Sequence, residues 1–158
     1  MCVAAANYVI NKVNEYNEKN PNARISMTCK RLQKLLYFSD VLYMKQNCGD
    51  SMFSDDFYAW PSGPVIPSVY YEFKIYQGGT MCAIDTGKPK SLTAKMREAI
   101  DNILKQTWGL DTLDLVERSH ASGGPWDSVY CENDPEHKQI ISKSDMFAFY
   151  KDREIFSK

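Results

Sequence analysis

Two histidines, His120 and His137, are all the imidazole in this 158-residue sequence, and its five cysteines, Cys2, Cys29, Cys48, Cys82 and Cys131, stand far apart. No two cysteines lie two to four residues apart, so the paired thiolates of a structural zinc site are missing. His120, Cys131 and His137 make one loose cluster, but dispersed cysteines of this kind read as small buried apolar residues rather than as ligands. A thiol nucleophile needs a basic neighbour, and Cys131 with His120 or His137 is the one pairing within a loop region. His120 has a simpler reading, because a histidine late in a helix can bond terminal carbonyls and is favoured by the helix dipole. No metal, cofactor or catalytic residue is therefore assigned.

Glycine-rich phosphate loops are also lacking. Gly78-Gly79 and Gly123-Gly124 are isolated pairs without a following Gly-Lys-Ser/Thr, and they read as helix stops. The paired carboxylates, Asp55-Asp56 and Asp111 with Asp114, fall at element boundaries, where capping or solvation accounts for them. Charge of one sign is not in excess: the formal net charge is -1. Lys30-Arg31-Lys34 and Lys88, Lys90 and Lys95 form small basic patches, each explained by a solvated face, so direct binding to nucleic acid is not favoured. No window approaches the roughly 18 consecutive apolar residues of a membrane span. An odd number of scattered cysteines and no signal-like apolar run after Met1 lead to the expectation of a reduced, cytoplasmic chain with no membrane partner. Repeats, low-complexity stretches and Pro/Gly/Ser linkers are missing too, so residues 1–158 are expected to form a single domain.

What is present is the material of a core: 44% hydrophobic and 13% aromatic residues. Val3, Ala6, Val9, Ile10, Val13 and Tyr16 recur at helical spacing up to the stop at Asn20-Pro21-Asn22. Thr28 is placed to cap a second helix reaching about Asn47. Leu32, Leu35, Leu36, Leu42 and Tyr43 form one face of it, and Tyr37, Phe38, Val41 and Met44 fill most of the others. A helix apolar nearly all round is buried, so this is the expected central element, with Lys30, Lys34 and Lys45 marking its exits to solvent.

Phe57-Tyr58-Ala59-Trp60-Pro61-Ser62-Gly63-Pro64-Val65-Ile66-Pro67 sets three prolines and a glycine between aromatic-rich segments. Proline fixes its own φ and bars its predecessor from the α region, so the spacing predicts a short strand, a stiff corner and a helix opened by Pro67. That helix should carry Val69, Tyr70, Phe73 and Tyr76 as far as Gly78-Gly79. A short strand at Met81 to Ile84 is the expected partner of Phe57 to Trp60. Ser91 should cap a helix bearing Leu92, Met96, Ala99, Ile100, Ile103, Leu104 and Trp108. Asp111 should cap another with Leu113, Leu115 and Val116, stopping at Ser122-Gly123-Gly124-Pro125. Ile140-Ile141 reads as an edge strand, and Ser144 as the cap of a last helix with Met146, Phe147, Phe149, Tyr150 and Phe156. The fold class is mainly α: a compact chain of about six helices with a two- or three-stranded β element.

Three blocks carry a resemblance. Leu32-Gln33-Lys34-Leu35-Leu36-Tyr37-Phe38, the run from Phe57 through Trp60-Pro61-Ser62-Gly63-Pro64 to Tyr70, and Ser119-His120 to Gly124-Pro125-Trp126 resemble, in order and spacing, the Panacea domain of SocA-like antitoxins, which includes GepA-type phage-associated proteins. The resemblance implies an antitoxin, without enzymatic activity, that neutralises a protein toxin encoded by an adjacent gene through direct protein–protein binding. Its alternatives are an adaptor that delivers a bound partner to a cellular protease, and a phage-encoded inhibitor of a host defence protein. It also implies that Trp60, Pro61, Gly63, Pro64, Tyr70, His120, Pro125 and Trp126 either hold the corner or touch the partner. The Ser122-Gly123-Gly124 run departs from the more acidic loop expected there.

Overall fold

The computed structural model describes residues 2–74 and 92–156. Helix α1 spans Cys2–Lys19 and α2 spans Cys29–Gln46, followed by strands β1 (Phe57–Trp60) and β2 (Gly63–Val65) and helix α3 (Pro67–Phe73). Helices α4 (Ala94–Thr107) and α5 (Thr112–Ser119), strand β3 (Ile140–Ile141) and helix α6 (Lys143–Tyr150) complete the described chain. The fold is mainly α, with one small antiparallel sheet in the order β2-β1-β3. None of the described helices is long and apolar enough to cross a membrane.

Helix α2 is the centre, as its all-round apolar pattern predicts. Every residue from Arg31 to Val41 is buried, and α1, α3, α4, α5, α6 and β2 all pack against it. Thr28 caps it, its Oγ1 accepting from the Arg31 amide. Asn17 closes the turn from α1 by exchanging two hydrogen bonds with the backbone of Ile25, a side chain acting as a strand partner. Across the helices, Tyr16 of α1 stacks on Trp108 at the end of α4 with ring centroids 4.1 Å apart.

Lys34 is the clearest departure from expectation. Instead of leading to solvent it is fully buried, and Arg31 beside it is buried too, so the basic patch read on α2 is not a surface. Lys30 is exposed. Lys45 turns its ammonium onto the carbonyls of Tyr150, the last residue of α6, and of Arg153 beyond it. For Arg31, Lys34 and Lys45 the reason is the same: a helix packed on every side approaches the carbonyls of its neighbours, and long cationic side chains satisfy those carbonyls.

Other boundaries moved by a few residues. Helix α4 is capped by Thr93, whose Oγ1 accepts from Met96, while Ser91 lies outside the described residues. Ser142, not Ser144, caps α6, because β3 runs straight into the helix and leaves no spacer. Helix α5 ends at Ser119, before the glycines. Asp111 and Asp114 form a reciprocal capping box at its start. Helix α3 ends at Phe73; Tyr76, Gly78-Gly79 and the Met81 to Ile84 segment lie outside the described residues. Strand β1 pairs with β2 on one side and with Ile140-Ile141 on the other. The β2 strand was not anticipated, because Pro64 argues against a strand except on a sheet edge, and an edge is where it sits.

Candidate functional site

The corner is a hairpin. Trp60 pairs with Gly63 across a two-residue turn of Pro61 and Ser62, a sequence suited to a tight turn because proline presets the first corner and glycine relieves the exit. Gly63 holds φ at +114°, a region in which other residues are strained. Space also dictates the glycine: a Cβ there would fall 2.6 Å from Ser119 Oγ and 2.8 Å from Lys34 Cε. The hairpin backbone thus lies directly on α2 and on the last turn of α5.

Three successive polar positions of α2 bolt neighbouring backbone in place. Arg31 donates to the carbonyls of Leu110 and Thr107, at and just beyond the C-terminal end of α4. Gln33 receives the Ile66 amide at 2.9 Å and donates to the Ile66 carbonyl at 3.1 Å, fixing the residue that precedes α3. Lys34 donates to the Pro64 carbonyl at 2.7 Å. Burial, reinforced by Lys30, holds the Lys34 ammonium down at about 7 against its ordinary 10.5.

The second motif locks onto the first from the far side. His120 ends α5, its amide donating to the Glu117 and Val116 carbonyls, and its ring lies flat on Trp126 with centroids 3.7 Å apart and planes 6° apart. Burial and then the nearby Lys34 lower the His120 pKa, against the opposing effects of a backbone hydrogen bond with Ser62 and of Asp127. Trp126 is only 8% exposed and donates from Nε1 to the Trp60 carbonyl at 2.8 Å, while Tyr130 stacks on it at 4.5 Å. Pro125 and Gly124 are buried behind it, and a Cβ on Gly124 would meet the Ala121 carbonyl at 2.9 Å.

The outward side is different. Pro61 is exposed and Trp60 and Tyr70 are half-buried. Trp60 meets Tyr70 edge-on at 5.1 Å, Tyr70 meets Tyr71 at 5.5 Å, and Tyr71 is 59% exposed with the Lys74 ammonium 5.1 Å from its ring. All eight residues singled out in the sequence therefore meet in one place, divided between an inner and an outer layer. Sequence reading missed Tyr71, and it missed Gln33, Lys34 and Ser119 as parts of the same joint. Polar residues at Gln33 and Lys34 inside an otherwise apolar helix were the available signal.

Among the described residues no group of three or more His, Cys, Asp and Glu side chains is arranged to hold a metal ion. Cys131 is exposed, in the segment after Trp126. Asp55 accepts from Ser68 Oγ, the structural use expected of a boundary carboxylate. One constellation was not foreseen: Ser51 Oγ lies 2.9 Å from Lys143 Nζ, a spacing that can activate a serine. Lys143 is, however, paired with the fully buried Asp40 carboxylate at 2.9 Å, and an ammonium bound to a carboxylate is no base. Asp40 also accepts from Ser51 Oγ and the Met52 amide, both at 2.7 Å, so the group joins α2, the following loop and α6 structurally.

The region just described coincides with what the chain shares with known proteins. Antitoxin SocA of Caulobacter vibrioides (strain NA1000 / CB15N) is 32% identical over 110 residues, covering 62% of this chain and 57% of that relative. The chain thus spans a little over half the length of the curated relative it matches. No solved structure matches. The family model described as antitoxin SocA-like, Panacea domain, matches residues 32–127, from the buried face of α2 to just beyond Trp126. On that match, which contains the whole bolted corner, the chain belongs to the SocA-like antitoxin family, Panacea domain.

Proposed function

We propose that this protein is a non-enzymatic antitoxin that neutralises a protein toxin, encoded beside it, by stoichiometric binding, and that residues 1–158 act as one Panacea-like domain. The observation that carries the reading is the two-layered corner. Its inner layer, Gly63, Pro64, His120, Pro125 and Trp126, is fastened to α2 and α5. Its outer layer, Pro61, Trp60 and Tyr70 together with Tyr71, presents rigid aromatic surface to solvent. Rigid aromatics lose little conformational entropy on binding and commonly anchor interfaces. A hairpin that cannot relax holds them ready, which reduces the ordering cost of association.

The test is co-expression with the product of the neighbouring gene. That product alone should arrest growth, this protein should restore it, and the two should co-purify as a complex. A harmless neighbour that forms no complex contradicts the reading. Restored growth with a shortened half-life of the partner would instead favour delivery to a protease.

A further inference from the structure

Among the described residues three large apolar side chains are exposed: Tyr71 at 59%, Leu113 at 63% and Ile140 at 47%. Tyr71 belongs to the aromatic layer of the corner. Ile140 lies in β3, beyond the residues 32–127 that the family model matches, yet the sheet brings it to the same surface. Strand β3 pairs antiparallel with β1 so that Ile140 stands opposite Tyr58, and residues opposite one another in a sheet share a face. Side chains alternate along β1: Phe57 and Ala59 are buried, while Tyr58 and Trp60 take the other face and are half-buried. Trp60 meets Tyr70 at 5.1 Å, and Tyr70 meets Tyr71 at 5.5 Å. One strip therefore runs Ile140, Tyr58, Trp60, Tyr70, Tyr71, with an exposed residue at each end. Leu113 is not part of it, standing in the first turn of α5, whereas Ser119 at the other end of that helix is the residue beside Gly63.

The chemistry of the strip indicates what covers it. Its five side chains are uncharged, and the neighbouring lysines are engaged within the chain: Lys138 pairs with Glu136 at 2.9 Å, and the Lys74 ammonium lies 5.1 Å from the Tyr71 ring. A strip bordered in this way does not select phosphate or anionic lipid, which call for a basic rim. Rings with one polar tip are instead the side chains that favour protein interfaces. The antitoxin family supplies a protein as the partner, and the strip is continuous with the aromatic layer already assigned to that partner.

We propose that β3 belongs to the partner-binding surface: an apolar ridge of the protein toxin lies along the strip, with Ile140 and Tyr58 as its second contact beyond the corner. This assignment rests on the antitoxin reading and extends that interface from the hairpin and α3 onto the third strand.

The experiment measures binding of the separately purified neighbouring-gene product to the wild-type chain, to Ile140→Lys, to Ile140→Thr and to Leu113→Lys, an equally exposed control off the strip. Ile140→Thr keeps a β-branched residue in the strand and serves if Ile140→Lys does not fold. The expected result is roughly tenfold weaker binding for Ile140→Lys and about threefold for Ile140→Thr, with Leu113→Lys within about twofold of wild type. Wild-type affinity in the folded Ile140 variants, or an equal loss in Leu113→Lys, overturns the assignment of β3 while leaving the antitoxin reading standing. No binding by the wild-type chain overturns both. A wild-type chain that self-associates in sedimentation and becomes monomeric on Ile140→Lys, with partner binding unchanged, assigns the strip to a second copy and overturns the proposal.

Discussion

Toward α2 the corner is closed by the close approach of backbone at Gly63 and by hydrogen bonds to Pro64 and Ile66, whereas away from it, among the described residues, Trp60, Tyr70 and Tyr71 meet one another edge-on. The two layers are built from neighbouring residues of one motif, yet they answer to different physics. The inner layer is governed by packing and by satisfied carbonyls, so changes there should appear as lost stability. The outer layer should add little to folding, and in the proposed reading its apolar area is what a partner would cover. A single motif can therefore combine a fold determinant with a proposed contact surface, in neighbouring residues.

The comparison can be broken most violently at Gly63. Gly63→Val forces a β-branched residue to a φ of +114° and drives its Cβ into Ser119 and Lys34. The expected loss is about 3–5 kcal/mol, combining backbone strain and overpacking, and a denaturant midpoint measures it. Trp126 offers a graded pair. Trp126→Ala should cost about 3–4 kcal/mol through a large cavity. Trp126→Phe, which keeps most of the packing but leaves the Trp60 carbonyl without its donor, should cost about 1–2 kcal/mol.

Lys34 sharpens the comparison through pH. Its folded value of about 7 lies below the ordinary 10.5, so between these values the unfolded chain holds a proton that the folded chain has released. Stability should therefore rise with pH from about 7 upward, by as much as roughly 1.4 kcal/mol per pH unit. Below 7 both states hold the proton and the folded state bears the full cost of the buried ammonium. The lowered His120 adds a rise of the same sign below its ordinary 6.5. Cys2, pushed up to about 12 by burial, acts oppositely, but only above its ordinary 9.0. Chemical denaturation between pH 7 and 8.5 isolates Lys34, and Lys34→Met should flatten the profile there. The smallest stability effect belongs to Tyr71→Ala, expected within about 0.5 kcal/mol of wild type because the side chain is 59% exposed.

Much of the fold was legible because its signals are local. The all-round apolar pattern identified α2 as central, Thr28 and Asp111 announced their helices, and the prolines marked the corner. What stayed hidden depends on partners distant in sequence. Lys34 looks like a solvent exit until Pro64 arrives above it, and β2 looks excluded by proline until the sheet places it at an edge. Nothing local pairs Asp40 on α2 with Lys143 at the start of α6. The candidate site was visible as a set of residues and not as a division, since which side of a hairpin a tryptophan faces is settled by tertiary packing.

Tyr71→Ala and Trp126→Phe, measured side by side for affinity to the neighbouring-gene product and for unfolding midpoint, test the division directly. Tyr71→Ala should bind at least tenfold more weakly at an unchanged midpoint, and Trp126→Phe should lose stability while its folded fraction binds within about threefold of wild type. Undiminished binding by Tyr71→Ala, or a binding defect in Trp126→Phe larger than its unfolding explains, would contradict the separation of the two layers.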